Sequence, residues 1–300
     1  MLVDLNIPWP QSSYDVKPTV ADIDQLKRTL VTLHTLGYSH VALNFTLAPT
    51  VKLPQSKNQR NPIDLSLLED VCAATTLKLY TRITIVLEGS SNRSVLSSVA
   101  DVFDVVAVMP TSPNGLAVAT ASLDMDLLSF EYSKRLPAIL KHKAICSCVK
   151  RGVKIEIVYS NALRDKHARK QFIINCKNVI RASRSRGLVI SSGAQSPVEC
   201  RNLLGVSSLV NFIGLKQDKC SKAMTELAAL VLLKGRLRGC SHRETVVVGS
   251  GDPDIVNDQS VRAANPLKIV KRTHSEDIDD DQSLHAERPP KRQLTQPGSS

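Results

Sequence analysis

Short apolar, β-branched runs alternate with helix-period segments along almost all of the first 240 residues, and that alternation leaves few architectures open. The pattern predicts strands at 2–7, 40–45, 79–87, 103–109, 123–130, 153–159 and 188–191, with a weaker one at 212–215. Most of these runs are apolar throughout, which suits strands covered on both faces. Helical periodicity predicts helices at 20–36, 63–75, 91–100, 137–150, 164–185, 198–210 and 219–237. A strand–helix unit therefore recurs about every 30 residues, which implies right-handed crossovers and a parallel sheet. Seven or eight such units suit a closed (β/α) barrel, with a doubly wound open sheet as the alternative. Gly187 reads as the C-cap of the long helix, and Ser196-Pro197-Val198-Glu199 as a capping box opening the next.

After Gly239 the periodicity stops. Residues 240–300 are rich in Ser, Asp, Pro, Gly and Gln, so a folded domain is expected over 1–239 and a disordered tail beyond it. Lys268-Ile269-Val270-Lys271-Arg272 and Arg288-Pro289-Pro290-Lys291-Arg292 flank an acidic stretch, Glu276 to Asp281, and read as nuclear localisation signals. No apolar run approaches the ~20 residues that cross a bilayer, so no membrane partner is expected. The start, Met1-Leu2-Val3-Asp4-Leu5-Asn6, lacks a basic leader, and the cysteines form no CxxC pair. Reduced thiols in an intracellular protein are the expectation.

Charge is distributed very unevenly. Residues 131–239 hold 22 Lys/Arg against 6 Asp/Glu, whereas the segments on either side are mildly acidic. A solvated surface mixes signs, so a one-sided excess over a third of the chain points to a polyanionic partner. On the helix 164–185, Lys166, Lys170, Lys177, Arg181 and Arg184 fall within an arc of about 60° at 100° per residue. They stack along roughly 27 Å with no acid at i±4. No aromatic interleaves them, so phosphate and shape contacts suit the stripe better than base stacking. Lys141, Lys143, Lys150, Arg151 and Arg186 extend it. Ser192 and Gly193 lie in the loop after a strand, where backbone N–H groups of a barrel can cradle phosphate.

Catalytic patterns are sparse. The histidines show no HxH or HExxH spacing in the folded part, and neither GxGxxG nor GxxxxGK[ST] occurs, so no metal or nucleotide cofactor is expected. Cys146-Ser147-Cys148 has no matching second pair and reads as buried small residues. Asp4, Asn6, Asp124, Asp126 and Glu156 sit on predicted strands and can point into a barrel. Asp124 and Asp126 share one strand face, which leaves a metal-dependent phosphoesterase or nuclease as a rival reading. A purely protein-binding scaffold is the second rival.

Several blocks together resemble the protein-subunit family shared by nuclear ribonuclease P and ribonuclease MRP, in its fungal form. They are Leu140-Lys141-His142-Lys143, Cys146 to Val153, Tyr159 with Ala162-Leu163-Arg164-Asp165, Arg181 to Gly187, and Ser192-Gly193-Ala194 with Ser196-Pro197 and Glu199 to Asn202. Met1 to Pro10, Leu36-Gly37-Tyr38, Asn61 to Asp64 and Leu77 to Tyr80 extend the similarity, which covers about residues 1–240. The resemblance implies a TIM-like (β/α) barrel related to the polymerase-and-histidinol-phosphatase phosphoesterases. Those enzymes carry HxH on the first strand; here the run is Asp4-Leu5-Asn6, so the metal site looks lost. Catalysis would then belong to the particle RNA, which removes 5′ leaders from precursor tRNA or, in the MRP particle, cleaves precursor rRNA. The implied partners are ribonuclease P RNA, MRP RNA, a small RNA-recognition-motif-like subunit, the other particle subunits and precursor tRNA. The implied location is the nucleus and its nucleolus.

Overall fold

Each strand up to residue 191 pairs in parallel with its sequence neighbour, giving one seven-stranded sheet in the order β1 to β7. The computed structural model describes residues 1–89, 93–242, 246 and 247. The strands are β1 (Leu2–Pro8), β2 (Tyr38–Leu47), β3 (Lys78–Leu87), β4 (Val105–Pro110), β5 (Leu127–Leu128), β6 (Lys154–Val158) and β7 (Leu188–Ser191). Between β1 and β7 run α1 (Val20–Thr35), α2 (Glu69–Ala74), α3 (Arg93–Ala100), α4 (Pro113–Ser122), α5 (His142–Lys150), α6 (Asn161–Arg164) and α7 (Lys166–Ser183). After β7 come α8 (Leu203–Ile213), α9 (Gln217–Met224) and α10 (Glu226–Cys240). The segment at 240–300 that was expected to be a tail, with its basic clusters, lies almost wholly outside the described residues.

The two edges of the sheet meet, which decides for a barrel over an open sheet. Just past β7, the Ser192 N–H donates to the Asp4 carboxylate (3.1 Å) and the Gly193 N–H to the Asn6 carbonyl (2.8 Å). Closure is thus made by the chain leaving β7 rather than by an eighth strand. α10 seals the end where the strands begin. Its Ala228, Val231 and Leu232 pack with Val3, Leu5, Ala42, Tyr80, Val105, Ala107, Leu127 and Val189, residues drawn from six of the seven strands. Only a segment lying across the barrel axis can touch so many. Gly235 makes the approach possible, because a Cβ there would sit 1.7 Å from the Asp104 carbonyl oxygen.

Several local readings of the sequence are corrected. Residues 212–215 are the end of α8 and its turn, not a strand; Gly214 takes φ +123 there. The 164–185 helix is interrupted at Asp165, which is extended and accepts the Ala168 N–H at 2.6 Å as the N-cap of α7. A short acid whose oxygen can replace a backbone partner stops one helix and starts another. α7 ends at Ser183, with Arg184 and Ser185 in the left-handed region, so they and not Gly187 terminate it. Ser196 makes no capping bond, and Glu199 reaches back instead to the Gln195 N–H (2.9 Å). The true cap of that region is Asn202, on Gly205 N–H. Thr225 splits the 219–237 helix, and α4, capped by Ser112 with Pro113 behind it, was not anticipated.

Candidate nucleic-acid interface

α7 presents its stripe as the sequence pattern implied. Ala168, Phe172, Asn175, Cys176, Val179 and Ile180 are buried against the body. Lys166, Lys170, Lys177, Arg181 and Arg184 are exposed, and none of them has an ion-pair partner among the described residues. Burial of one helix face against the barrel fixes the other outward, so periodicity alone places these side chains.

α5 packs beside α7 and carries the rest of the basic surface. The His142 ring nitrogen Nδ1 lies 2.8 Å from the Ala182 carbonyl oxygen, which sets Lys141 and Lys143 next to Arg181 and Arg184. At the other end of α5, Gly187 lies so close to Val149 that an added Cβ would meet Cγ1 at 2.7 Å. Lys150 and Arg186, both exposed, are neighbours by that contact. The left-handed pair Arg184 and Ser185 turns the chain back toward α5, held by the Ser185 N–H on the Ile180 carbonyl at 3.0 Å. Holding two non-glycine residues there costs about 1–2 kcal/mol each.

Two of the sequence-predicted site residues, Ser192 and Gly193, are not part of this surface, and a third, Arg151, is exposed beside Lys150 but turns its guanidinium onto α4. The Arg151 guanidinium is held by the carbonyls of Thr120 (2.8 Å), Leu123 (3.3 Å) and Ala119 (3.4 Å), where it caps the end of α4. Ser192 and Gly193 are buried, and their N–H groups are the ones given to Asp4 and Asn6. The Ala194 N–H bonds the Ser192 Oγ. A phosphate cradle needs those donors turned outward; here they close the barrel.

The barrel interior, beneath the mouth where this fold carries its chemistry, is filled by its own polar groups. Arg82 on β3 lies fully buried, donating to both Glu156 oxygens on β6 (2.5 and 2.6 Å), to the Leu5 carbonyl (2.7 Å) and to Thr84 Oγ1 (3.2 Å). Thr84 Oγ1 donates to Asn44 Oδ1 at 2.7 Å, and Asn44 Nδ2 to Asn6 Oδ1 at 2.9 Å. Ser191 Oγ donates to Glu156 Oε1 at 2.5 Å. Burial pushes the Glu156 carboxyl up, but the Arg82 guanidinium and these hydrogen bonds outweigh it and hold it below the ordinary value. Asp4 has no such cation: burial lifts its carboxyl to about 6, against the N–H bonds from Ser192 and Asn6. A divalent ion does not suit this donor set, since Glu156 is bidentate to a guanidinium and Asp4 is committed to backbone N–H groups. Among the described residues no group of three or more His, Cys, Asp or Glu gathers as a ligand set.

The Asp124–Asp126 pair meets a cation of the chain itself, with Lys234 Nζ 4.0 and 3.9 Å from the two carboxylates. Asp124's side chain is 96% exposed and Asp126's 2%. Asp126 accepts the Val106 N–H (2.9 Å) and pairs with Arg238 of α10 at the strand-start end, away from the mouth where barrel sites lie. Among the described residues no helix is long and apolar enough to cross a membrane.

A family model described as RNase P subunit p30 matches residues 1–239, the barrel from β1 through α10 but for the last residue of α10. The chain belongs to the RNase P subunit p30 family. It is 52% identical to the ribonuclease P/MRP protein subunit RPP1 of Saccharomyces cerevisiae over 95% of this chain and 98% of that protein. It is 34% identical to a probable ribonuclease P protein subunit 3 of Schizosaccharomyces pombe, over 81% of this chain and 97% of that one. Among solved structures, a chain of an archaeal ribonuclease P with mature tRNA superposes with a TM-score of 0.56 at 17% identity, covering 82% of this chain and 95% of that chain. That likeness shows a shared barrel. On the same face Ile173 and Ile174 are exposed among the cations; they were missed from the sequence although the same helical wheel places them beside Lys170 and Lys177.

Proposed function

We propose that this chain is a non-catalytic, RNA-binding protein subunit of ribonuclease P and ribonuclease MRP, scaffolding the RNA that removes 5′ leaders from precursor tRNA or processes precursor rRNA. The observation that carries the reading is the cluster of exposed cations on α7 and α5 without ion-pair partners among the described residues, on a family member whose barrel interior is filled by Arg82 and Glu156. Lys150, Lys166, Lys170, Lys177, Arg181, Arg184 and Arg186 form the RNA- or partner-binding surface. Each phosphate they neutralise releases counterions and strengthens binding. Arg151, exposed beside Lys150, adjoins that surface, whereas Ser192 and Gly193 spend their N–H groups on closing the barrel.

In this reading residues 1–239 are the working domain, and 240–300 a tail whose basic clusters direct the chain to the nucleus and nucleolus. The partners are ribonuclease P RNA, MRP RNA, a small RNA-recognition-motif-like subunit and, in the assembled particle, precursor tRNA. The test is to purify the tagged full chain from cells and sequence the RNA that accompanies it. Enrichment of both particle RNAs, with leader-bearing precursor tRNA accumulating on depletion of the chain, is the expected result. Cleavage of precursor tRNA by the RNA-free purified chain would contradict it.

A further inference from the structure

The α7 stripe is not uniform. Ile173 is 39% exposed and Ile174 46%, and both lie between Lys170 and Lys177. At 100° per residue Ile173 falls about 20° to one side of the cationic arc and Ile174 about 20° to the other. The four residues make a diamond, with Lys170 and Lys177 at its ends, about 10 Å apart along the axis, and the two isoleucines at its sides. Every edge of that diamond is an i,i+3 or i,i+4 neighbour pair. Toward the C-terminal end of α7 the character changes: Arg181, Arg184 and Arg186 adjoin Lys141, Lys143 and Lys150 of the α5 region.

RNA has little use for the middle of such a face. Phosphates need cations, and unstacked bases need flat rings, whereas isoleucine offers a branched aliphatic surface and no π-face. A protein interface needs this combination: an apolar centre that excludes water and a charged rim that sets register. Scattered exposed isoleucines are common on protein surfaces. Two adjacent ones enclosed by like charges are different, because the lysines keep the patch soluble while leaving it open only to a partner of opposite charge.

Resting on the subunit reading above, we infer that the Lys170–Ile173–Ile174–Lys177 diamond docks an amphipathic acidic helix of a neighbouring protein subunit, and that RNA contact is confined to the Arg181–Arg184–Arg186 end with Lys150. The helix that fits carries Asp or Glu at positions i and i+7 and leucine-like side chains at i+3 and i+4 between them. Charge and apolar contact then match along two turns.

The experiment uses the full chain in the purified particle, with a photo-crosslinking phenylalanine analogue in place of Ile173 and, separately, in place of Arg184. The expected product from position 173 is a covalent adduct to an acidic helix of another protein subunit; from position 184 it is an adduct to RNA. The I173S/I174S variant should drop at least tenfold in retention by the protein subunits after the RNA is digested, with the salt dependence of its own RNA binding unchanged. I173V/I174V should restore retention, which separates docking from folding. An RNA adduct from position 173, no adduct to any protein subunit, or wild-type retention of I173S/I174S overturns the inference. Failure of the subunit reading looks different: the tagged wild-type chain would bring down no particle RNA, and the inference would fall with it.

Discussion

Arg82 and Arg184 are both cations of one barrel protein, and they live under opposite rules. Arg82 sits in the barrel interior, where Glu156, the Leu5 carbonyl and Thr84 answer it at 2.5 to 3.2 Å. Arg184 stands at the exposed end of α7, on a face whose five cations find no acid among the described residues. An ion taken from water is tolerable only when paired and hydrogen-bonded, so the interior solves its charge within the chain. The surface leaves its charge to be solved by something else. The same contrast separates what the fold needs from what the particle needs: breaking the interior Arg82–Glu156 pair should destabilise the protein, and removing surface charge should leave it folded but unable to bind.

The largest effect that would break this contrast lies in the interior. Arg82→Ala leaves Glu156 buried and uncompensated, and a loss of about 3–5 kcal/mol in urea unfolding is expected. Arg82→Met combined with Glu156→Leu should recover most of it, because removing both charges removes the desolvation penalty as well. If R82A unfolds at the wild-type urea midpoint, the pair is not what organises the barrel.

A smaller effect of opposite sign is expected at Asp4. Its carboxyl titrates near its ordinary value of 3.8 in the unfolded chain and at about 6 in the folded one. Between those values the folded state holds the extra proton, so stability is full below pH 4 and falls as pH rises through 6. Asp4→Asn removes a charge that burial disfavours. It should be more stable than wild type at pH 7.5 by on the order of 1–3 kcal/mol, with the gap closing toward pH 4. Unfolding midpoints across pH 4 to 8 read this directly, and a gap independent of pH would show that Asp4 is not the group responsible.

The smallest stability effect belongs to the surface. The K170Q/K177Q/R181Q/R184Q variant relieves like-charge repulsion and should keep its midpoint or gain up to about 1 kcal/mol. A loss of more than about 2 kcal/mol would mean these side chains support the fold and would erase the distinction between the two regions.

How far the sequence alone carried these conclusions differs between the regions for physical reasons. β1 to β4, β6 and β7 were legible because fully covered parallel strands are apolar throughout, and the α7 stripe because helix period fixes a face. Local competition was harder to read. Asp165 and Asn202 each start a helix with a side-chain oxygen, inside segments whose apolar period runs on unbroken. The Arg82–Glu156 pair spans 74 residues of sequence, and only the barrel's closure makes the two residues neighbours. One signal was available: each is a lone mid-strand charge in an apolar run, of opposite sign. Ser192 and Gly193 show the reverse error. A Gly-containing loop after a strand looks like an anion cradle until closure of β7 on β1 takes its donors.

The central claim is that unanswered charge on α7 and α5 binds the particle's RNA. It is tested most directly by measuring affinity of the purified chain for ribonuclease P RNA across a salt series, with K150E/R181E/R184E/R186E beside wild type. Each lost phosphate contact lowers the slope of log affinity against log salt by roughly 0.7–0.9, so the variant's slope should be flatter by about 3. An unchanged slope would place RNA elsewhere on the molecule and contradict the account.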